Sequence, residues 1–375
     1  MLNQAHGRRQ REAGRWAAIR YLKYHLDPRR FEELPLNWAE VFGREAEIIV
    51  EIGFGSGEFL EEMAASHPEA NFVGFEVSLI SATKAQKRLY RRGIENVRIV
   101  LVDARFGMRE LFPDESVSKV ITNFPCPWPK RKHEERRLIV PEFAKTLAAV
   151  LKTGGDFELV TDELWFAEEA MERFRETGCF EIEGPIVNPE RPVQTRYERK
   201  WRAQGKDIYL VRFVKRRGLK VERIAGGREM PHYVVSREVS IEELRKLVGL
   251  KYAEGESVFV IKEVFASPDG NEFLLRAFSS DAGFQQQYFI KVARMGRRWL
   301  VKLDSASLPY RTTAVKLSVY KVGRLLDGLP LERHAGEGTV EKAPQKGAGE
   351  GLSLIHISEP TRPRLSSYAV FCLKK

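Results

Sequence analysis

Between about residues 48 and 215, short β-branched runs alternate with amphipathic stretches, and this alternation constrains the fold more than any other feature. The strand-like runs are EIIVEIG, NFVGFEV, VRIVLVDA, VSKVITNF and GDFELVTD. The helix-like stretches are GEFLEEMAASH, ISATKAQKRLYRRG, EERRLIVPEFAKTLAAVLK and ELWFAEEAMERFRETG. Strands that take turns with helices form βαβ units, so we predict an α/β, doubly wound, mostly parallel sheet. The last two runs, FEIEGPIV and DIYLVRFVK, show no obvious helix between them and predict a closing antiparallel hairpin.

From about residue 217, strand-like runs and turns replace this alternation. Asp269-Gly270 is typical of a hairpin turn and SIEELRKLVG is a single helix-like stretch, so we predict a small C-terminal α+β domain. The predicted regions are a basic N-terminal arm at 1–30, the α/β domain at 31–216, the α+β domain at 217–335, and a flexible linker and tail at 336–375. From residue 352 the tail resembles a translated sequencing adapter, so we exclude residues 352–375, including Cys372, from functional reasoning.

Composition narrows the class of protein. The 375 residues carry a net charge of +10, which suits a polyanionic partner and equally a basic surface that is merely solvated. No apolar run is long enough to span a membrane and the Arg-rich N-terminus has no signal-peptide core, so we expect a cytoplasmic protein that binds no membrane. Three cysteines without pairing or metal-site spacing argue against a disulfide scaffold and against a metal site.

The stretch EIGFGSGEFL places three glycines between a strand and a helix. Gly53, Gly55 and Gly57 let the backbone approach a nucleotide-like ligand at the carboxyl edge of a parallel sheet. A dinucleotide-binding turn has its third glycine one position later, where this chain has Glu58, whose carboxylate would repel a pyrophosphate at the helix N-terminus. The turn therefore favours S-adenosylmethionine, a cation with an adenosine, although a tight strand-to-helix turn needs no ligand at all.

Acidic residues end three consecutive predicted strands: Glu51, Glu76 and Asp103. Glu76 is placed to accept hydrogen bonds from both hydroxyls of a ribose, and Asp103 to accept one from an adenine amino group. A single such acid is more often a loop charge. Three acids along one edge of a sheet predict a cofactor site.

The loop TNFPCPWPKRKHEERR carries Cys126 between two prolines, close to Trp128. Prolines fix φ and extend the residue before them, so Asn123 to Trp128 is predicted to be stiff. Trp128 could stack on a base or anchor the loop. We favour a packed or hydrogen-bonded thiol at Cys126, because His133 is the only nearby partner for a nucleophile or a metal ligand. The basic residues that follow are predicted to contact phosphates rather than form a solvated face: Lys130, Arg131, Lys132, Arg136 and Arg137.

These motifs resemble the bacterial tRNA (guanine-N7)-methyltransferases, which have the class I, Rossmann-like S-adenosylmethionine-dependent fold. The resemblance covers about residues 31–215 and rests on EIGFGSG, GFEVS, NFPCPWPKRKHEERR, the pair Thr161-Asp162 and QTRYERKWRAQGKDIYLVRF. It implies cofactor contacts at Glu51, Glu76, Asp103 and Asn123. It implies substrate contacts at Lys130, Asp162, Thr195, Arg196, Tyr197 and Glu198. Where the family usually has Asp in Pro-Asp-Pro-Trp, this chain has Cys126.

The resemblance implies methyl transfer from S-adenosylmethionine to N7 of a tRNA guanine, the family target being position 46 in the variable loop, with the base extruded. Guanine N7 has a lone pair and no proton, so alignment matters more than a general base. An Asp at position 126 would offset positive charge on the guanine; Asp162 and Glu198 are candidates to replace it and to select guanine. Methylation of another RNA or of a protein, and tRNA binding without catalysis, stay open. The sequence does not predict the oligomeric state.

Overall fold

The computed structural model describes residues 20–227, 230–330 and 340–342. The chain divides into two units between Arg223 and Ile224, later than the predicted boundary at residue 216. Arg223 donates hydrogen bonds to the carbonyl oxygens of Arg109 (2.9 Å) and Phe112 (2.8 Å) and pairs with Asp114. Because these partners belong to the first unit, the segment up to Arg223 stays with it.

The first unit contains an eight-stranded sheet. Its strands are β1 (His25–Leu26), β2 (Ile48–Ile52), β3 (Asn71–Glu76), β4 (Val97–Leu101), β5 (Val117–Asn123), β6 (Leu151–Thr161), β7 (Phe180–Val187) and β8 (Tyr209–Lys215). They lie in the order β1-β4-β3-β2-β5-β6-β8-β7, and only the pairings of β8 with β6 and β7 are antiparallel. The predicted doubly wound, mostly parallel sheet with an antiparallel last hairpin is confirmed. The strand order reverses between β2 and β5, which places a crevice at their carboxyl ends.

Seven α-helices accompany these strands in the described residues. They are α1 (Trp38–Phe42), α2 (Glu58–Ser66), α3 (Leu79–Arg92), α4 (Ala104–Leu111), α5 (Pro141–Val150), α6 (Leu164–Glu176) and α7 (Arg196–Ala203). Helix α3 illustrates how its sequence sets both ends of a helix. Ser78 caps the N-terminus by accepting from the Ser81 N–H, and Gly93 ends the helix at φ 69°. Its buried face includes Ala85 and Leu89, which join the core beside the sheet.

Three local features differ from the sequence prediction. Helix α5 begins at Pro141 rather than at Glu134, because a proline suits the first helical position and disfavours helix before it; residues Arg131–Arg136 form a 3-10 helix instead. Helix α4, capped by Asp103, was not predicted. Helix α7 lies between β7 and β8, where no helix was expected, yet the two strands still pair.

The predicted basic arm at 1–30 is described only from residue 20. Here His25 pairs with Ile99, so that β1 adds a strand to the sheet beside β4. Tyr24 is 1% exposed and its hydroxyl donates to the Ile94 carbonyl oxygen at 2.7 Å. Residues 24–26 are therefore part of the α/β unit and not of a free arm, because Tyr24 packs in its core.

The second unit is an antiparallel sheet with helices, as predicted. Residues 340–342 pair with this sheet, which contradicts the flexible linker predicted there, and the rest of the predicted linker and tail at 336–375 lies outside the described residues. Its strands are β9 (His232–Val235), β10 (Leu250–Glu254), β11 (Ser257–Ala266), β12 (Glu272–Asp281), β13 (Phe284–Met295), β14 (Arg298–Leu303) and β15 (Val340–Lys342), in the order β15-β10-β11-β12-β13-β14-β9. Besides α8 (Ile241–Arg245), an unpredicted α9 (Thr313–Leu326) buries Val315, Val319 and Val322 in this unit's core. Nowhere in the described ranges is a helix long and apolar enough to cross a membrane.

Candidate functional site

The glycine turn after β2 borders the switch-point crevice. Gly53, Gly55 and Gly57 have φ values of 72°, 55° and 75°, which side-chain-bearing residues rarely adopt. A Cβ on Gly57 would lie 2.6 Å from the Cβ of Ala85, so this glycine lets α2 pack against α3. A Cβ on Gly53 or Gly55 would meet no atom within 4 Å. These two glycines therefore leave open space beside the backbone of the turn.

Glu51 on β2 is the most perturbed acid at this edge. Its side chain is buried, Oε1 accepts from Asn123 Nδ2 at 3.2 Å, and Oε2 has no hydrogen-bond partner among the described residues. Burial raises the pKa of Glu51 to about 8, although the Asn123 hydrogen bond, the charge of Arg191 and the backbone N–H of Leu60 oppose that rise. A buried carboxylate oxygen without a donor is costly, so the site lacks one positive or hydrogen-bonding group that a ligand could supply.

The other two predicted acids stand at the ends of the neighbouring strands. Glu76 accepts from the backbone N–H groups of Gly55 (3.1 Å), Val77 (2.9 Å) and Ser78 (3.0 Å), which ties it to the glycine turn. Asp103 accepts from the Arg105 N–H and forms an ion pair with the Arg105 guanidinium at 2.8 Å. With 40% of its side chain exposed, Asp103 keeps acceptor capacity for a ligand.

The proline loop, residues 123–130, follows β5 and has a strained backbone. Phe124 and Trp128 have φ values of 53° and 44°, which bulky residues adopt only when their surroundings hold them. The Phe124 N–H donates to the Val160 carbonyl oxygen at 2.7 Å. The Trp128 carbonyl oxygen accepts from Nε (3.2 Å) and Nη2 (3.1 Å) of Arg137. The loop is thus held at both ends by hydrogen bonds, in addition to its prolines.

Arg137 corrects one sequence prediction. It is 7% exposed, and its Nη1 donates to both carboxylate oxygens of Glu169 on α6 at 2.8 and 2.7 Å. The predicted phosphate contact at Arg137 is therefore wrong, because the guanidinium is used inside the protein. Arg136, Lys130 and Lys132 are exposed and remain a basic surface beside the loop.

Cys126 and Trp128 are half-buried in the proline loop. The Arg136 guanidinium lies 5.3 Å from the centre of the Trp128 ring, and the His133 ring meets the same ring edge-on. Desolvation, together with the charges of Arg136 and its neighbours, lowers the pKa of His133. Across the part of the chain that the structure describes, no group of three or more His, Cys, Asp or Glu side chains could hold a metal ion.

Asp162 and helix α7 carry the remaining residues that the sequence predicts to contact the substrate. Asp162 follows β6, is 14% exposed, and accepts from Lys206 Nζ at 2.5 Å. Lys206 and Lys200 each place an ammonium over the Trp201 ring, at 4.2 and 4.4 Å from its centre. The predicted substrate residues at the start of α7 differ in role: Thr195 caps the helix by accepting from the Glu198 N–H, whereas Arg196 is exposed and lies over the half-buried Tyr197 ring.

Glu198 is fully buried, which contradicts its predicted contact with the substrate base. Its Oε2 accepts from Arg191 Nη1 at 2.8 Å and its Oε1 from Arg202 Nη2 at 3.0 Å, so both oxygens face arginines. Arg191 also donates from Nη2 to Asn123 Oδ1 at 2.6 Å. Sequence reasoning missed Arg191: its place beside Pro192, ahead of the TRYE run, is the only signal, and nothing in that spacing indicates a meeting with Asn123.

A separate cavity of about 380 Å³ is lined by Leu36, Trp38, Ile48 and Pro113, among others. Ile48 begins β2, so this cavity lies at the amino ends of the strands. It is therefore not part of the site at their carboxyl ends.

The chain is similar to known methyltransferases. A family model described as a putative methyltransferase matches residues 45–211. The tRNA (guanine-N(7)-)-methyltransferase of Thermotoga maritima is 47% identical over 302 residues, 80% of this chain and 96% of that protein. Proteins of the same name from Aquifex aeolicus and Nitrosococcus oceani are 33% identical over 293 residues (74% and 93%) and 37% identical over 193 residues (50% and 81%). An alignment of 302 residues cannot fit within the first unit, which ends at Arg223, so the Thermotoga similarity reaches into the second unit.

Proposed function

The chain belongs to the tRNA (guanine-N(7)-)-methyltransferase family, and we propose that it transfers a methyl group from S-adenosylmethionine to N7 of a guanine in tRNA. The proposed target is the variable-loop guanine at position 46, and the proposed place of action is the cytoplasm. The observation that carries the proposal is the meeting of Glu51, the glycine turn, the proline loop and basic helix α7 at one edge of the first sheet.

The residues at this edge fit S-adenosylmethionine. The unpartnered Oε2 of Glu51 can accept from the ammonium of its methionyl part, and open space beside Gly53 and Gly55 leaves room for a ligand against the turn. Glu76 Oε2 accepts one backbone hydrogen bond and has a lone pair left for a ribose hydroxyl. Asp103 has exposed oxygen surface for the adenine amino group.

Bound S-adenosylmethionine supplies an activated methyl group on a sulfonium. Guanine N7 carries no proton, so no side chain needs to act as a general base at that atom. The contribution of the chain is to align guanine N7 with the methyl carbon and the sulfur. Such alignment can raise a rate by several orders of magnitude. Arg137 and the Phe124 N–H supply the rigidity that alignment needs by holding Cys126 and Trp128 in one arrangement of the proline loop.

Asp162 is the carboxylate we assign to guanine selection. Glu198 is fully buried between two arginines, whereas Asp162 is partly exposed and receives a hydrogen bond from Lys206. A carboxylate retains several lone pairs after one such bond, enough to accept from guanine N1–H and N2–H₂. The exposed cations around the site are proposed to contact tRNA phosphates: Lys130, Lys132, Arg136, Arg196, Arg199 and Lys206.

The target and the selecting residue can be tested together. With unmodified tRNA and labelled S-adenosylmethionine, label should enter the parent transcript and not one in which guanine 46 is replaced by adenine. Asp162→Asn should lower turnover by about 100-fold, because the amide N–H₂ of asparagine would be a donor facing guanine N1–H and N2–H₂, which are donors themselves. The control is Glu181→Gln, which should match the parent, because Glu181 lies on the edge strand β7 in an exposed ion pair with Arg216. Equal labelling of both transcripts would refute the position, and full activity of Asp162→Asn would refute the assignment.

A further inference from the structure

Arg191 joins three elements of the first unit. It lies in the segment between β7 and α7, and its side chain is only 5% exposed. One guanidinium nitrogen donates to Glu198 on α7 at 2.8 Å and another donates to Asn123 at the end of β5 at 2.6 Å. The guanidinium also lies 5.2 Å from the centre of the Phe59 ring on α2, directly after the glycine turn.

On the cofactor side, Arg191 determines how Asn123 points. A guanidinium has only donors, so Asn123 must turn its Oδ1 toward Arg191 and its Nδ2 toward Glu51. This orientation provides Glu51 Oε1 with a donor and leaves Oε2 as the atom without a partner. Without Arg191, Asn123 Oδ1 loses its donor, and Glu51 alone is left to orient the amide.

On the tRNA side, Arg191 helps to hold helix α7. Glu198 receives hydrogen bonds from Arg191 and Arg202, and Arg202 also donates to the Pro189 carbonyl oxygen at 2.8 Å. The two arginines thereby fix both the start of α7 and the segment leading into it. This helix carries the exposed Arg196 and Arg199, two of the proposed phosphate contacts.

We infer that Arg191 is a positioning residue that couples the cofactor site to the tRNA-binding helix, an inference that rests on the proposed function. The chain Glu51–Asn123–Arg191–Glu198 is buried except at the half-buried Asn123, and hydrogen bonds strengthen one another in such surroundings. A ligand that holds Glu51 and Asn123 at one end of this chain favours the hydrogen-bonded arrangement that holds Glu198 and α7 at the other end. The affinities for the two ligands are then linked, and the linkage is reciprocal.

The linkage is measurable as the ratio of two dissociation constants of tRNA, one without and one with S-adenosylhomocysteine. We would determine the dissociation constant of unmodified tRNA at fixed salt, without S-adenosylhomocysteine and with a saturating concentration of it. The parent should bind tRNA at least about 5-fold more tightly with S-adenosylhomocysteine present. In Arg191→Gln and Arg191→Lys the ratio should fall to about one, since lysine keeps the charge but cannot donate to Glu198 and Asn123 from one planar fork.

A purely structural role would weaken folding or both affinities and leave the ratio unchanged. The matched control is Arg216→Gln, which breaks an exposed arginine–glutamate pair away from the site and should keep the parent ratio. If Arg191→Gln fails to fold, Arg191→Lys carries the test. A parent ratio of one, or a parent-like ratio in the folded Arg191 variants, would overturn the inference. Nucleoside analysis of tRNA treated with the parent and S-adenosylmethionine separates the two proposals, because absence of N7-methylguanosine contradicts the function and not the coupling.

Discussion

Arg136 and Arg137 are neighbours in the chain but have different roles. Arg136 is exposed beside the proline loop, whereas Arg137 is buried and holds the Trp128 carbonyl oxygen and Glu169. Sequence spacing predicted the acids at the strand ends, since strand ends meet at one edge of a parallel sheet. It could not separate Arg136 from Arg137, or assign Glu198 to Arg191, because these pairings depend on side-chain burial in the folded chain.

Glu51 should make the stability of the ligand-free protein pH-dependent. Its pKa is about 8 in the folded state against 4.5 ordinarily, so the folded state holds a proton that the unfolded state loses first. The free energy of unfolding should therefore fall as the pH rises from about 5 to about 8, by at most about 1.4 kcal/mol per pH unit from this group. In denaturant melts, the stability of the parent should fall with pH relative to that of Glu51→Gln, in which the lowered pKa values of His25 and His133 still act.

The control for Glu51 is Glu61→Gln. Glu61 is also nearly buried, but it has a charged partner in Arg88 at 3.0 Å. This variant should retain the parent's pH slope. A parent-like slope in Glu51→Gln would show that another group carries the titration.

Arg137→Lys tests the clamp on the proline loop. Lysine keeps a charge near Glu169 but cannot reproduce the paired hydrogen bonds to the Trp128 carbonyl oxygen. Turnover should fall by about 10- to 100-fold while the affinity for S-adenosylhomocysteine stays within about 3-fold of the parent. Arg175→Lys, an exposed arginine in the last turn of α6, is the control. Unchanged turnover in Arg137→Lys would show that the loop keeps its geometry without the clamp.

Cys126 occupies the position where the family usually has Asp. If the thiol is a tolerated occupant, Cys126→Ser should retain most activity, because it keeps a small polar group in the same loop. Cys126→Asp should match or exceed the parent, because a carboxylate would face the positive charge that develops on guanine. Steady-state turnover on unmodified tRNA measures both. Loss of activity in both variants, with cofactor binding intact, would mean that the thiol itself is required.

At the scale of elements, alternation predicted β2 to β6 and the helices between most of them. The start of α5 was misplaced because Pro141, at the first helical position, outweighed the helical pattern of the residues before it. Helix α7 was missed because five of the eight residues of RYERKWRA are charged, and its single fully buried side chain is the charged Glu198. The helix is stabilised by the Thr195 cap and by ion pairs with Glu198, which a search for apolar periodicity does not detect.

The basic surface of the 3-10 helix and its flank should bind tRNA electrostatically. Changing Lys130, Lys132 and Arg136 together to Gln should reduce the slope of log affinity against log salt by about 2 to 3, and should leave the methylated position unchanged. The control changes Lys152, Arg216 and Arg217, three exposed cations at the opposite edge of the same sheet. Equal slopes in the site variant and the parent would identify a surface that is only solvated.

At the scale of the whole molecule, each unit has a core of its own. The α/β unit holds every residue assigned here to cofactor or guanine. The sequence predicted the class of the second unit from its hairpin pattern but not α9, whose Gly323 packs so closely that a Cβ would lie 2.3 Å from the Tyr233 ring. Such a contact is fixed by the meeting of a helix with a strand far away in the sequence.

The most direct test of the central claim is analysis of the nucleosides formed when the full chain acts on unmodified tRNA with methyl-labelled S-adenosylmethionine. We expect the label to appear in N7-methylguanosine, at one residue per tRNA, and Glu51→Gln to lower its yield through weaker cofactor binding. Label in any other nucleoside, or in protein alone, would contradict the claim, as would intact tRNA binding with no methyl transfer.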